Sequence, residues 1–320
     1  VTFAQTIRCR YVNYGSVYGC ELTINNPNGF NGFSAIEGTH LSGYNNARVG
    51  VLYRVSGVTT NVPQIICNTF PNLHSLDLHN TGMLTIDDNA FRGCTQVAQL
   101  DLWQNKINSI SANAFDSLRN VQFLNLEQNN LTSIAPNLFA NQAKLQMLYL
   151  SQNKFSDFPV GIFRPLESLL HLGIGFSNLS EINPQWFGSN NTKLVDLHVG
   201  GNILPDTFAG LTSLSYLQTG YAPIRQIHAG AFRGLGNLKT LIISHCQLNQ
   251  IQSTAFEDLT SLNYINLEQN EIADIGNSMV PLVNLREASF RNNYLTTIRR
   301  SNFGTVTNLD ALNFDGNMIN

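Results

Sequence analysis

Apolar residues recur along this chain in one short frame that is copied from end to end. In residues 145 to 155, LQMLYLSQNKF, the frame is filled by Leu145, Leu148, Leu150 and Phe155, with Asn153 as its one polar member. Leu148 and Leu150 are two apart, so in an extended strand both face inward while Met147, Tyr149 and Ser151 face solvent. The frame opens again at Leu73, Val97, Val121, Leu169, Leu194, Leu214, Leu238, Leu262, Leu285 and Leu309, usually 24 residues apart. A weaker copy opens at Arg48, with Val51, Tyr53 and Val58. Each copy predicts a short strand, a turn and a return segment.

The polar position lies where the chain leaves the strand. A buried Asn amide there can donate to and accept from backbone groups that the turn leaves unpaired. Asn105, Asn129, Asn153, Asn202, Asn270, Asn293 and Asn317 occupy this rung, and Thr81, Ser177, Ala222 and Cys246 replace it. The return segments carry an Ile followed five residues later by a Phe, as in Ile110 and Phe115, or Ile227 and Phe232. Their short spacings suit a turn of helix or 3₁₀, and a stack of the Phe rings would fill the outer core. Strands about 4.8 Å apart, with bulkier segments behind them, make the stack curve with its strands on the concave side. The L-x-x-L-x-L-x-x-N-x-L frame is the leucine-rich-repeat signature. The expected fold is therefore an α/β solenoid, a leucine-rich-repeat horseshoe with a parallel concave sheet and short helical, 3₁₀ or irregular convex segments. Two irregularities interrupt it. The repeat at Leu169 has 25 residues and the one at Leu194 only 20, and the chain ends on GNMIN just after a strand. An uncovered solenoid end exposes core, so the expectation is that the native chain continues or that this end packs against something.

Residues 1–47 carry no repeat and are read as an N-terminal cap, leaving 48–320 as a solenoid of about twelve repeats. The cap holds Cys9, Tyr11, Tyr14, Tyr18 and Cys20, an alternating Leu22 and Ile24 that predict a strand against the first coil, and a Gly/Asn-rich passage through Phe30, Phe33 and Ile36. Cys9 and Cys20 bracket a short loop and are expected to form a disulfide; Cys67 and Cys94, in consecutive return segments, are expected to form a second. Cys246 sits on the rung and reads as a buried, inert thiol. Three sequons, Asn130, Asn178 and Asn190, agree with a secreted, extracellular glycoprotein.

Charged residues make up only 12% of the 320, and the net charge is −3. That composition provides no basic field for nucleic acid and no lysine-rich patch for anionic lipid. No apolar run approaches the roughly eighteen residues of a membrane span, and the first residues do not read as a signal peptide. The chain reads as a mature soluble product without membrane insertion. Nucleophile-elbow, zincin, phosphate-loop and C-x-x-C signatures are missing, so no enzyme activity, catalytic residue or cofactor is assigned. His74, Asp77, His79 and Asp101 come nearest to a metal cluster, but read as hydrated polar surface, and no metal is assigned.

Outward strand positions carry the functional signal, because there the fold makes no demand. They are polar at the N-terminal end: Asp77, His79, Gln99, Asp101, Asn125 and Glu127. In the middle they become Phe123, Met147, Tyr149, His171, Phe176, His198, Tyr216, Tyr221, His245 and Tyr264, interleaved with Gly173, Gly175, Gly200, Gly201 and Gly220. Aromatic walls over a glycine floor have the composition of a protein-recognition surface. Against that, Phe176 and Tyr221 lie at strand exits, where they would also serve merely to cover glycine backbone.

The repeats resemble the 24-residue animal extracellular class seen in Toll-like receptors, Slit and adhesion ectodomains. The N-terminal residues narrow the resemblance. The Cys9 to Cys20 pair with tyrosines between, the Phe33 to Ile36 step and the lead-in VLYRVSGVTTNVPQIICNTFPNL are similar to the mosquito and other insect secreted leucine-rich-repeat immune proteins. That resemblance implies a haemolymph protein that pairs with a relative and directs complement-like thioester proteins to pathogens. Those proteins carry a C-terminal Cys cluster and coiled coil that this sequence lacks, so neither property is carried to particular residues. The expected function is a secreted module of insect innate immunity that binds pathogen-associated or complement-like proteins through its concave face. Homo- or hetero-oligomers are compatible with it. The alternatives are a structural, adhesive or self-assembling extracellular protein, or an ectodomain fragment of a Toll-like receptor.

Overall fold

The computed structural model describes residues 5–25 and 33–319, in two compact units, Val1–Leu169 and Leu170–Asn320. Phe30 of the expected cap and the side chains of Phe33 and Val58 lie outside what is described.

The first unit begins with an antiparallel hairpin of β1 (Gln5–Tyr14) and β2 (Val17–Asn25), turning at Gly15 with φ +64°. Strand β3 (Phe33–Glu37) pairs in parallel with β1, and β2 pairs in parallel with β4 (Val49–Val58). From β4 the parallel ladder passes to β5 (Ser75–Asp77); the short β6 (Thr85–Ile86) lies in the return segment. It continues through β7 (Gln99–Asp101), with β8 (Ser109–Ile110) behind it, then β9 (Phe123–Asn125) and β10 (Met147–Tyr149). Leu76, Leu100, Leu124 and Leu148 pair in register, and all are buried, because each repeat presents the same strand phase to the core.

The second unit repeats the plan. Its sheet holds β11 (His171–Ile174), β12 (Asp196–Val199) and β13 (Tyr216–Gly220), with β14 (Gln226–Ile227) in the return segment. β15 (Thr240–Ser244) follows, with β16 (Gln250–Ile251) behind it, then β17 (Tyr264–Asn266), β18 (Glu287–Ser289) and β19 (Ala311–Asn313). In both units a parallel sheet takes one side, and turns and two-residue strands take the other, with one short α-helix, Ile65–Thr69, in the first unit and 3₁₀ segments, Pro184–Trp186 and Arg300–Phe303, in the second. This is the expected solenoid class.

Two hydrogen-bond devices end the strands. On the rung, Asn153 Nδ2 donates to the carbonyls of Leu126 and Leu150, each at 2.9 Å, and its Oδ1 accepts from Leu131 N–H at 3.0 Å. Asn105, Asn129, Asn270 and Asn293 repeat the pattern, so the turn's backbone groups are satisfied without water. The second device acts four residues after the frame opening in five repeats. There, the side-chain oxygens of Asp77, Asp101, Asn125, Asn266 and Asn313 accept from the N–H two residues on. The expectation that the fold makes no demand on the outward set is therefore corrected for Asp77, Asp101 and Asn125. After β4, the longest repeat strands, β11, β12, β13 and β15, carry Gly173, His198, Gln218 and Ile242 at that position, and without an Asp or Asn to turn the chain they run on. Tyr149 and Ser289 are exceptions, since their strands stop at three residues.

Three further expectations are corrected. Ser151 is buried, because the strand has ended at Tyr149 and the alternation ends with it. The first repeat opens at Val49: Leu52 pairs with Leu76 and is buried, while Tyr53 is exposed, so the frame from Arg48 is one residue out of phase. Asn202 does not join the rung. It is exposed and forms a lone parallel bridge with Glu181. The residue before the rung is left-handed in the neighbouring repeats, Phe176 at φ +51° and Tyr221 at +54°, but Gly201 sits at +122°, which sends Asn202 outward.

The return segments stack their Phe rings as expected, Phe91 to Phe115 at 5.9 Å, Phe208 to Phe232 at 6.0 Å and Phe232 to Phe256 at 5.7 Å. They also hold parallel strand pairs, β6 with β8 and β14 with β16. Disulfides join Cys9 to Cys20 and Cys67 to Cys94, and Cys246 is free and buried. Burial pushes the Cys246 thiol pKa up, which disfavours the reactive thiolate.

Candidate functional site

The outward residues separate into a small group on the first unit and a larger one on the second. On the first, Phe123 and Tyr149 lie on adjacent strands with ring centroids 5.7 Å apart, both half-buried, and Met147 is half-buried beside Phe123 in register. A cleft of about 220 Å³ lined by Tyr53, Asp77, Asp101 and Phe123 lies on the same face. Its carboxylates are already engaged: Asp77 Oδ1 meets His79 Nδ1 at 2.6 Å, and Asp101 Oδ1 accepts from Trp103 N–H. Among the described residues, no three His, Cys, Asp or Glu side chains gather to hold a metal.

On the second unit the parallel register aligns His171 with Asp196, and His198 lies two residues further along the same strand face. His171 Nδ1 is 3.2 Å from Asp196 Oδ2, and His198 Nε2 is 3.1 Å from Oδ1, the latter at ion-pair distance without hydrogen-bond alignment. Burial pushes the Asp196 pKa up, but the two histidines outweigh it and hold the carboxyl below its usual value. The His198 ring stacks on Tyr216 at 5.2 Å, and Tyr216 OH donates to Gln218 Oε1 at 2.9 Å. Sequence reading missed Asp196, although its position two residues into the frame, matching His171, was a signal for it.

The strand exits of the same unit hold a ladder of rings. Phe176 meets Tyr221 at 4.9 Å, and Tyr221 stacks on His245 at 4.5 Å with 14° between the planes. Phe176 is 51% exposed and Tyr221 59%, and His245 is also exposed. All three have left-handed backbones, where Asn and Gln stand in most other repeats. Bulky side chains are costly in that region, and exposed faces recover little of the cost through burial. Beneath the ladder lie Gly175, Gly200 and Gly220, each six residues into its frame. A Cβ on Gly175 or Gly200 would meet nothing nearer than 4.0 and 3.8 Å, so packing does not require glycine at either; on Gly220 it would meet Ser244 O at 2.9 Å. Tyr264 is half-buried and lies apart from the ladder, paired in register with Thr240. The sequons Asn178 and Asn190 are exposed and Asn130 is half-buried.

A profile described as "Leucine rich repeat" matches residues 71–131 and 124–179, and one described as "BspA type Leucine rich repeat region (6 copies)" matches 201–320. No curated protein matches the chain in sequence. Among solved structures, FLRT2 in an octameric complex with Latrophilin 3 and Unc5D superposes with TM-score 0.68 at 22% identity, covering 91% of this chain and 85% of the other. The Drosophila Toll–Spätzle complex matches with TM-score 0.63 at 19% identity, covering 90% of this chain and 48% of that one. TLR13 bound to ssRNA13 matches with TM-score 0.66 at 22% identity, covering 83% and 36%. The chain thus spans between about a third and half of the length of these two receptor chains.

Proposed function

Because the chain belongs to the leucine-rich-repeat family, whose repeats supply a rigid frame for variable surface residues, we propose that it is a recognition protein whose principal ligand contact is the ring ladder Phe176, Tyr221 and His245. The carrying observation is the placing of exposed aromatic rings on left-handed backbone, in repeats where two glycines, Gly175 and Gly200, are not demanded by packing. Aromatic anchors are among the residues that concentrate binding energy in protein interfaces. His171, His198, Tyr216 and Tyr264 extend the contact surface on the second unit, and Phe123, Met147 and Tyr149 form a separate candidate contact on the first. The ligand is a protein, and the setting is secreted, in insect innate immunity. The two disulfides, the three sequons and the N-terminal resemblance support this reading. Residues 1–47 are the cap, with the β1–β2 hairpin shielding the edge of β4.

The test compares Phe176→Asn with Tyr221→Asn, made together, against Gln104→Asn with Gln128→Asn, which changes two residues at equivalent left-handed positions of the first unit. Affinity for partners cross-linked from insect haemolymph should fall by about 2 kcal/mol or more in the first pair and by well under about 1 in the second. Relief of the left-handed backbone and loss of ring stacking are each of about 1 kcal/mol, so the melting temperature should change little. Equal loss in both pairs would remove the ladder as the contact.

A further inference from the structure

We infer that the second unit carries a separate docking slot for an extended peptide, which pairs with the open edge of β14. In the first unit, residues 12 and 13 into the frame form the short outer strands: β6 lies beside β8, with Thr85 opposite Ser109 and Ile86 opposite Ile110. The equivalent positions of the second unit form β14 and β16. The strand that would precede β14 is missing. Its frame, opening at Leu194, is short, and the residues 12 and 13 into it, Asp206 and Thr207, are already in the turn, with Asp206 N–H donating to Gly230 O.

A second change keeps the gap open. In six repeats the N–H nine residues into the frame donates to the preceding repeat, for example Lys106 to Met83 O and Asn130 to Ile107 O, or Glu271 to Leu248 O. At that position β14's repeat has Pro223, which has no N–H. Pairing with β16 uses the carbonyls of Arg225 and Ile227, which accept from Gln250 and Gln252. In a strand, alternate residues turn their backbone groups to opposite edges. Gln226 N–H and C=O and His228 N–H therefore face the side away from β16, and no protein hydrogen bond from either N–H is found among the described residues.

They face a cleft of about 450 Å³, whose walls include Glu181, Asn202 and Leu204 on one side and Pro223, Arg225 and His228 on the other. This volume falls in the range of ligand sites, about 300–1,000 Å³. An extended backbone would supply the missing acceptor and donor, the mode of strand addition. Leu204, 38% exposed, offers an apolar contact for its side chains. Arg225, on the same wall, has no carboxylate partner among the described residues, so the slot favours a peptide with an acidic side chain within its reach.

The chain itself supplies the probe. Leu84-Thr-Ile-Asp-Asp88 fills the corresponding place beside β8, and in the same register its Asp87 would lie next to His228. A blocked synthetic LTIDD peptide at millimolar concentration should slow amide exchange at Gln226 and His228 of the whole chain. The same peptide N-methylated at its Ile should not. Gln226→Pro removes a donor that β16 does not use, and should weaken binding at least tenfold with an unchanged melting temperature. Protection at neither amide, equal protection by the N-methylated peptide, or unweakened binding to a folded Gln226→Pro protein would each overturn the slot. None of these measurements involves the ring ladder.

Discussion

Phe176 and Tyr221 meet with ring centroids 4.9 Å apart, tilted by 33°, although a complete repeat lies between them in the chain. They stand at equivalent strand exits, and the intervening exit is Gly201, which has no side chain to separate the rings. Gly201 has φ +122°, and an added Cβ would lie 3.0 Å from the Glu181 carbonyl carbon, whereas one on Gly200 would meet Ala222 Cβ at 3.8 Å.

Gly201→Ala should therefore destabilise the protein by about 1–3 kcal/mol, from backbone strain, while Gly200→Ala should be nearly neutral. Thermal or denaturant melts of the two variants distinguish them. Similar losses at both would mean that the glycine pair serves packing alone.

The two kinds of rung asparagine should differ just as sharply. Asn153→Ala strips partners from Leu131 N–H and from the Leu126 and Leu150 carbonyls, all buried, and should cost about 3 kcal/mol or more. Asn202 is exposed and bridges Glu181 through its backbone, so Asn202→Ala should change stability by less than about 0.5 kcal/mol. Urea unfolding midpoints at constant m-value provide the comparison.

Asp101 carries a charge that the fold penalises. Burial raises its pKa, and Asp77 adds to the rise, against the Trp103 N–H and His79, which lower it. With the folded pKa above the unfolded one, ionisation costs stability as pH rises through this interval, and the cost is fully present at neutral pH. Asp101→Asn keeps the acceptor that Asn125 provides in the next repeat, and should stabilise by about 0.5 kcal/mol near pH 7, a figure discounted for solvent around the carboxylate. The advantage should shrink as pH falls through the acid range and vanish once Asp101 is protonated in both states. Melting curves across pH test this; an advantage that grew on acidification would have the wrong sign. Asp196 has the opposite linkage, since its lowered pKa contributes stability above the unfolded value that is lost as pH falls through the folded one.

Cys67 and Cys94 close a separation of 27 residues. Replacing both by Ser should cost about 3–4 kcal/mol, by the loop-entropy argument. The loss should match that of the reduced parent protein in equilibrium unfolding. A double variant as stable as the oxidised parent would show that the crosslink adds nothing.

The repeat, the strand phase and the rung at Asn105, Asn129 and Asn153 were legible in the amino-acid sequence, because each depends on spacings of a few residues within one repeat. The alternation that buries Leu148 and Leu150 and turns Tyr149 outward needs no distant partner, and the composition of the ring ladder could be read in the same way. Tertiary structure decided matters that depend on how one repeat meets the next. The first repeat has apolar residues in both strand phases, Val49, Val51, Leu52 and Tyr53, and only the pairing of Leu52 with Leu76 chose between them. Asn202 has the right residue type and spacing for the rung, but the backbone of Gly201 against Glu181 turned it outward. The shared carboxylate of Asp196, the meeting of Phe176 with Tyr221 and the open edge of β14 all follow from register between repeats of unequal length. Local periodicity specifies each coil, whereas a four-residue shortening is expressed only in the contacts that the neighbouring coils can no longer make.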